Sequence, residues 1–91
     1  MPTSSEALET TTVLPATVAL HARPAADFVR MAMRFEAKIS IAAGAREADA
    51  KSLLAVLGLG ATAGTCVRLT ASGADAEEAL ASLAACVSSL E

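Results

Sequence analysis

His21 is the only histidine among the 91 residues, with Arg23 two positions and Pro24 three positions after it. These types in this spacing suit one chemistry, an imidazole nitrogen that accepts a phosphoryl group beside a helix start. Proline is tolerated in a first helical turn, because the N–H it lacks would have no intrahelical partner. After Pro24, Ala25, Phe28, Val29, Ala32 and Phe35 recur at helical spacing, with Asp27, Arg30 and Arg34 interleaved. His21 therefore precedes a helix N-terminus, where free backbone N–H groups and the helix dipole favour an anion. Arg23 adds a planar fork of donors that matches phosphate oxygens. By residue type alone, a lone histidine before a helix is more often a surface or satisfied residue than a nucleophile.

Other chemistries find less support. One histidine supplies neither a triad nor a metal cage, so a hydrolase or a metal site is not expected. Cys66 and Cys86, twenty positions apart, are too few for a disulfide framework and read as free thiols of a reducing compartment. Seven basic against ten acidic residues give a net charge of −3, and aromatics are 2% of the chain. Both facts argue against a nucleic-acid surface built on phosphate attraction and base stacking. Between Arg23 and Lys51 lie six basic and four acidic residues, and nothing basic follows Arg68. A locally positive surface around His21 therefore suits an acidic partner.

Ninety-one residues fit a single domain, 1–91, whose polar start, 1–7, is expected to be flexible. Met1 to Glu6 has neither a basic nor an apolar signal-peptide region, and no apolar run approaches a membrane span. A cytoplasmic protein without membrane insertion is expected, acting as a monomer. Leu8 to Leu14 alternates as a strand that Pro15 ends, and Ala16 to Leu20 forms the loop delivering His21. The first helix runs from about Ala22 to Met33 or Phe35. Its residues Arg23, Asp27 and Arg30 share a face, where Asp27 is placed to hold Arg23 aside until a phosphate competes. Such an exposed pair is worth only ~0.3–0.5 kcal/mol, so the phosphate wins readily.

Ala37 to Ala42 forms a half-buried strand with Ile39 and Ile41 on one face, and Ala45 to Ala48 a short partner after a turn at Gly44. Asp49 is the expected N-cap of a short helix from about Ala50 to Leu57, with Ser52 in its first turn. Thr65 to Ser72 reads as the last strand, turning Val67, Leu69 and Ala71 inward. Asp75 then starts a helix whose stripe is Ala76, Ala79, Leu80, Leu83, Val87 and Leu90. The order β-α-β-β-α-β-α makes a two-layer α+β domain.

Leu20-His21-Ala22-Arg23-Pro24-Ala25 resembles the active-site motif of the histidine-containing phosphocarrier (HPr) family of the bacterial phosphoenolpyruvate-dependent phosphotransferase system. Lys51-Ser52-Leu53-Leu54-Ala55-Val56-Leu57-Gly58-Leu59-Gly60 resembles that family's regulatory-serine segment. Gly64 with Val67, Leu69, Ala71, Gly73 and Asp75 to Leu80 resembles its last strand and helix. The resemblance implies an open-faced sandwich, a four-stranded antiparallel sheet covered on one face by three helices. It implies a phosphoryl carrier rather than an enzyme, needing no cofactor. Enzyme I would charge His21, on its δ1 nitrogen, and enzyme IIA domains of sugar uptake would receive the group. Arg23 would stabilise the phosphate, and a serine kinase/phosphorylase would act on Ser52 where a host has one. Of the aliphatic residues after Ser52, Val56 and Leu59 are expected in the core with Leu53 and Leu54 left as an apolar partner surface, joined by Arg30 and Lys51. A regulatory or nitrogen-related phosphotransfer module, acting through phosphorylation-dependent binding, is the alternative. The chain departs from the family motif at Val18, where Asn or Ser is usual, and at Ala19, where Gly is usual. Val18 has no side-chain hydrogen bond to give, and Ala19 makes positive φ costly, so a reshaped loop is expected.

Overall fold

The computed structural model describes residues 7–90, so six of the seven residues expected to be flexible, 1–6, lie outside the description. Seven elements follow in order: β1 (Leu8–Val13), α1 (Ala22–Ala32), β2 (Lys38–Ala43), β3 (Arg46–Asp49), α2 (Leu53–Gly58), β4 (Cys66–Ser72) and α3 (Ala76–Ser88). The strands form one antiparallel sheet in the order β1-β4-β2-β3. None of these helices is long and apolar enough to cross a membrane.

Register follows from burial of one sheet face. Thr10 and Thr12 pair with Leu69 and Val67, Ile41 lies between Leu69 and Ala48, and Ile39 pairs with Ala71. That row points under the helices, whereas Glu9, Thr11, Cys66, Arg68, Lys38 and Glu47 face out. A slip of one residue in any strand would turn its apolar set to water. On the helix side, α1 contributes Pro24, Ala25, Phe28, Val29 and Ala32, and α3 contributes Ala76, Ala79, Leu80, Leu83 and Val87. The expected stripe of the last helix is buried throughout, as are Val56 and Leu59. Phe28 is the one fully buried aromatic, so the core is aliphatic with alanine filling the helix contacts.

Two helix boundaries differ from the expectation. α1 ends at Ala32, because Arg34 and Phe35 donate to Met31 and Ala32 in tighter i to i−3 bonds that fold Phe35 back. α2 begins at Leu53 and is capped by Ser52, whose Oγ accepts from the Ala55 N–H at 3.2 Å. Asp49 instead accepts from the Lys51 N–H at 2.9 Å. The cause is long-range: the fully buried Ala50 donates its N–H to the Ile39 carbonyl at 3.0 Å, so it still belongs to the sheet. No helix can begin there.

The link from α1 to β2 is fixed from two sides. Asp75 precedes α3, yet its carboxylate makes no cap there; it accepts from the Glu36 and Ala37 N–H groups at 2.9 and 2.8 Å. Gly73 permits this approach. It has φ +135°, and a Cβ on it would stand 3.0 Å from Ala37 Cα. From the other side, Lys51 Nζ donates to the Phe35 carbonyl at 2.6 Å. The Glu36 N–H, ahead of a smaller opposing effect of burial, holds the Asp75 carboxyl below its ordinary 3.8, with the Ala37 N–H and Lys51 adding to the effect. A carboxylate with a lowered folded pKa stabilises above the unfolded value, and that contribution disappears as pH falls through the folded one. Asp75→Ala is therefore expected to lower the melting temperature at pH 7. The difference from wild type should shrink as pH drops below 3.8 toward the lowered value. Identical melting curves at pH 7 would remove Asp75 from the tether.

Candidate functional site

The loop of residues 14–21 is held along its length by backbone hydrogen bonds. Leu14 N–H donates to Thr65 O at 2.9 Å, Gly64 N–H to Pro15 O at 3.1 Å, and Leu20 N–H to Ala61 O at 3.0 Å. The opposing loop, 60–65, can bend this way because Gly60 and Gly64 take φ of +63° and +78°. Val18 and Leu20 bury their side chains in the core at 7% and 3% exposure, while His21 stands exposed between Leu20 and α1. The apolar anchors thus set the chain's path, and the imidazole is turned outward.

This changes the meaning of the two departures from the family motif. Val18 is a core residue, so its side chain has a place although it offers no hydrogen bond. Ala19 carries no strain, since no residue other than glycine has positive φ among those described. Packing at Val18 anchors the loop.

His21 is the N-cap of α1, with φ −102° and ψ −166°. Its N–H donates to Ala19 O, and its carbonyl accepts from the Ala25 N–H at 2.8 Å. No side chain caps the helix, and its first turn holds no acidic residue. With Pro24 lacking a donor, the N–H groups of Ala22 and Arg23 remain open at the helix mouth among the described residues. Donors point out beside an exposed imidazole, with no carboxylate of that first turn to occupy them. Such a helix start favours a nearby negative charge.

The Arg23 side chain is exposed and makes no hydrogen bond or ion pair among the described residues. Asp27 was expected to hold it aside, but Asp27 Oδ1 pairs with Arg30 Nη2 at 2.5 Å instead. The spacing allows either partner, and both side chains of the observed pair are well exposed. Arg23 and Asp27 nevertheless border one open depression of about 500 Å³, together with Cys86, Ser89 and Leu90 at the end of α3. Burial, and secondarily the charge of Asp27, pushes the Cys86 thiol up; Cys66 and Cys86 are both unpaired thiols.

The second group of expected residues surrounds α2, which packs beside α1. Leu53 is 40% and Leu54 83% exposed, an apolar surface as expected. Lys51 is half-buried and its ammonium donates to Phe35 O, which fixes the position of a charge that no carboxylate neutralises among the described residues. Met33, 64% exposed at the end of α1, was not anticipated, because its spacing resembles that of a core position. Nor was the 60–65 loop, although Gly60 and Gly64 bracket it in the sequence. No group of three or more metal-ligating side chains converges among the described residues.

Residues 8–89 match the family model described as the phosphorylation site of the HPr component of the phosphotransferase system. The chain is 40% identical over 72 residues to the phosphocarrier protein HPr of Haemophilus influenzae, covering 79% of this chain and 85% of that one. It is 42% identical over 71 residues to the corresponding protein of Vibrio cholerae, covering 78% and 84%. Among solved structures, HPr of Bacillus anthracis superposes with a TM-score of 0.84 at 38% identity, over 89% of this chain and 96% of that one.

Placing the usual polar residue in the loop should now destabilise the protein. Val18→Asn would bury an amide where the native side chain is 7% exposed, at a cost of about 1–3 kcal/mol. The expected result is a lower denaturant midpoint with an unchanged slope. A midpoint equal to wild type would show that Val18 is no anchor.

Proposed function

The chain belongs to the HPr family, the phosphocarriers of the phosphotransferase system, and from that premise we propose that His21 is the residue that carries the phosphoryl group. Members of this family carry the group and do not act as enzymes. The observation that supports His21 is its place as an exposed, uncapped N-cap beside two N–H groups and an Arg23 side chain that have no partner among the described residues. In the proposed step a neutral imidazole nitrogen attacks the phosphorus held by phosphoenolpyruvate-charged enzyme I. The bond from phosphorus to the donor breaks, and its electron pair leaves on the donor. The onward step reverses these roles toward an enzyme IIA domain of sugar uptake. Arg23 and the Ala22 and Arg23 N–H groups balance the charge of the carried group.

Phosphate bound too firmly would not be passed on. An exposed site with few donors suits a group that must leave, and the partner supplies the enclosure during transfer. The exposed Leu53 and Leu54 of α2, with the basic Arg30 on the adjoining α1, fit a partner whose docking surface is apolar and acidic. A monomer is the proposed working unit, since one copy closes its own core. Enzyme I with phosphoenolpyruvate radiolabelled in its phosphoryl group tests the assignment directly. His21→Ala should remain folded and take no label, and Arg23→Ala should be charged about tenfold more slowly, as for a lost hydrogen bond to a charged group. Full labelling of His21→Ala would falsify the proposal.

Ser52 is proposed as the regulatory site, modified by a serine kinase. Its Oγ already faces the Ala55 N–H, so a phosphate there keeps a donor and the fold survives. The added charge would lie next to the Leu53–Leu54 surface and repel an acidic partner. Ser52→Asp should slow charging by enzyme I, more at low ionic strength than at high, while Ser52→Ala stays near wild type. Equal rates for the two variants at low salt would end the case for a switch.

A further inference from the structure

Arg23 and Arg30 stand on either side of one carboxylate. Asp27 is four residues after Arg23 and three before Arg30, distances at which helix side chains meet. In the described state Arg30 holds Asp27, which leaves Arg23 without a partner among the described residues. Asp27 and Arg23 still share the depression at the junction of α1 and α3, so the carboxylate and the unpaired guanidinium border the same space. The far wall is the end of α3. Its last turn carries no basic residue, and the Ser88 and Ser89 hydroxyls are already donating to carbonyls of Ala85 and Cys86. This wall presents the negative end of the helix dipole, another reason for a guanidinium to enter. Cys86 lines the same depression, where burial first and the charge of Asp27 second push its thiol up.

We propose that Asp27 is a positioning residue that couples docking at Arg30 to release of the phosphoryl group on His21, by competing with that group for Arg23. The inference rests on the reading of His21 as the carrier. When Arg30 is free in solution it occupies Asp27, and Arg23 is available to the phosphoryl group. When an acidic partner draws Arg30 away, Asp27 is released and attracts Arg23 into the depression. The phosphoryl group then loses a counter-charge as it meets its acceptor. Its bond to the imidazole breaks, the electron pair returns to the ring nitrogen, and the new bond forms on the acceptor. All three side chains are exposed, so each exchange is small in free energy and fast to reverse. A relay of this kind biases transfer without trapping the carrier in either state.

The full chain can be phosphorylated on His21 with potassium phosphoramidate, from which ammonia leaves as the new bond forms, and the ionisation of the phosphoryl group followed by phosphorus NMR. A nearby cation favours the more highly charged form, so weakening the hold of Arg23 raises the proton affinity of the group. Arg30→Ala, which frees Asp27, should raise that affinity about twofold, the size of an exposed helix pair. In an Asp27→Asn or an Arg23→Ala background the same substitution should leave it unmoved. A merely structural role for Asp27 would change melting temperature and not this coupling. The relay is overturned if Arg30→Ala has no effect in the otherwise native chain, or if its effect persists undiminished in Asp27→Asn. Enzyme I takes no part in the measurement. Failure of enzyme I to label His21 would sink the proposed function and leave the coupling standing, and absent coupling in a chain that enzyme I does label sinks only the relay. A chain that phosphoramidate cannot phosphorylate at His21 overturns both.

Discussion

The site depends on a backbone seam between two loops. β1 and β4 pair up to Val13 and Cys66, and the next residues continue the contact as Leu14 to Thr65. Pro15 ends the ladder, because it has no N–H to give. Its carbonyl still accepts from Gly64, and Leu20 reaches Ala61 five residues later. The loop between is thereby closed at both ends, with Val18 driven into the core as a wedge. A loop fixed only by its own sequence would lose far more entropy each time the imidazole had to be presented. Here the sheet registers the loop, and the loop registers the helix.

Charge at the helix mouth follows from what is missing there. An Asp or Ser at the N-cap would close on the first N–H groups, and an acidic first turn would repel a phosphate. His21 does neither, and α1 has no acidic residue until Asp27. The helix start therefore sacrifices an ordinary cap, worth about 1 kcal/mol, in return for open donors. Pro24 limits the loss, since it fixes φ for the helix and removes one donor that would otherwise need a partner. Burial of Pro24 and Ala25 against the core then holds the turn in place without a polar cap.

Much of this was legible from local pattern. Strand alternation placed Ile39, Ile41, Val67, Leu69 and Ala71 inward, and helical spacing placed the whole α3 stripe, because each pattern reports one buried face. The site was legible at His21, Arg23 and Pro24 for the same reason, since a helix start is a local event. The misreadings all turn on contacts distant in sequence or on symmetric choices. Asp49 resembles a better cap than Ser52 until Ala50 is tied to Ile39. That Lys51 also ties the α1–β2 link, through Phe35 O sixteen residues away, is not visible in local pattern. Asp75 does start α3 as expected, but the use of its carboxylate on backbone donors of the Glu36–Ala37 link was not legible. Asp27 has an arginine on each side, and spacing alone does not choose between them.

That last ambiguity is physical as well as analytical. Two cations competing for one carboxylate at the surface have nearly equal claims, and a small external charge is enough to reorder them. A buried pair would be set by desolvation and geometry, and breaking it would cost several kcal/mol. The carrier reading requires the opposite. Charging and discharging must be close to balanced, so the groups around the phosphoryl site have to change partners for very little free energy. Exposure of Arg23, Asp27 and Arg30 on one face of α1 meets that requirement, while the rigid seam beneath keeps His21 in place. Stability and function are thus separated by depth: the aliphatic core and its backbone bonds fix the position of the site, and the charges on the outside remain free to move.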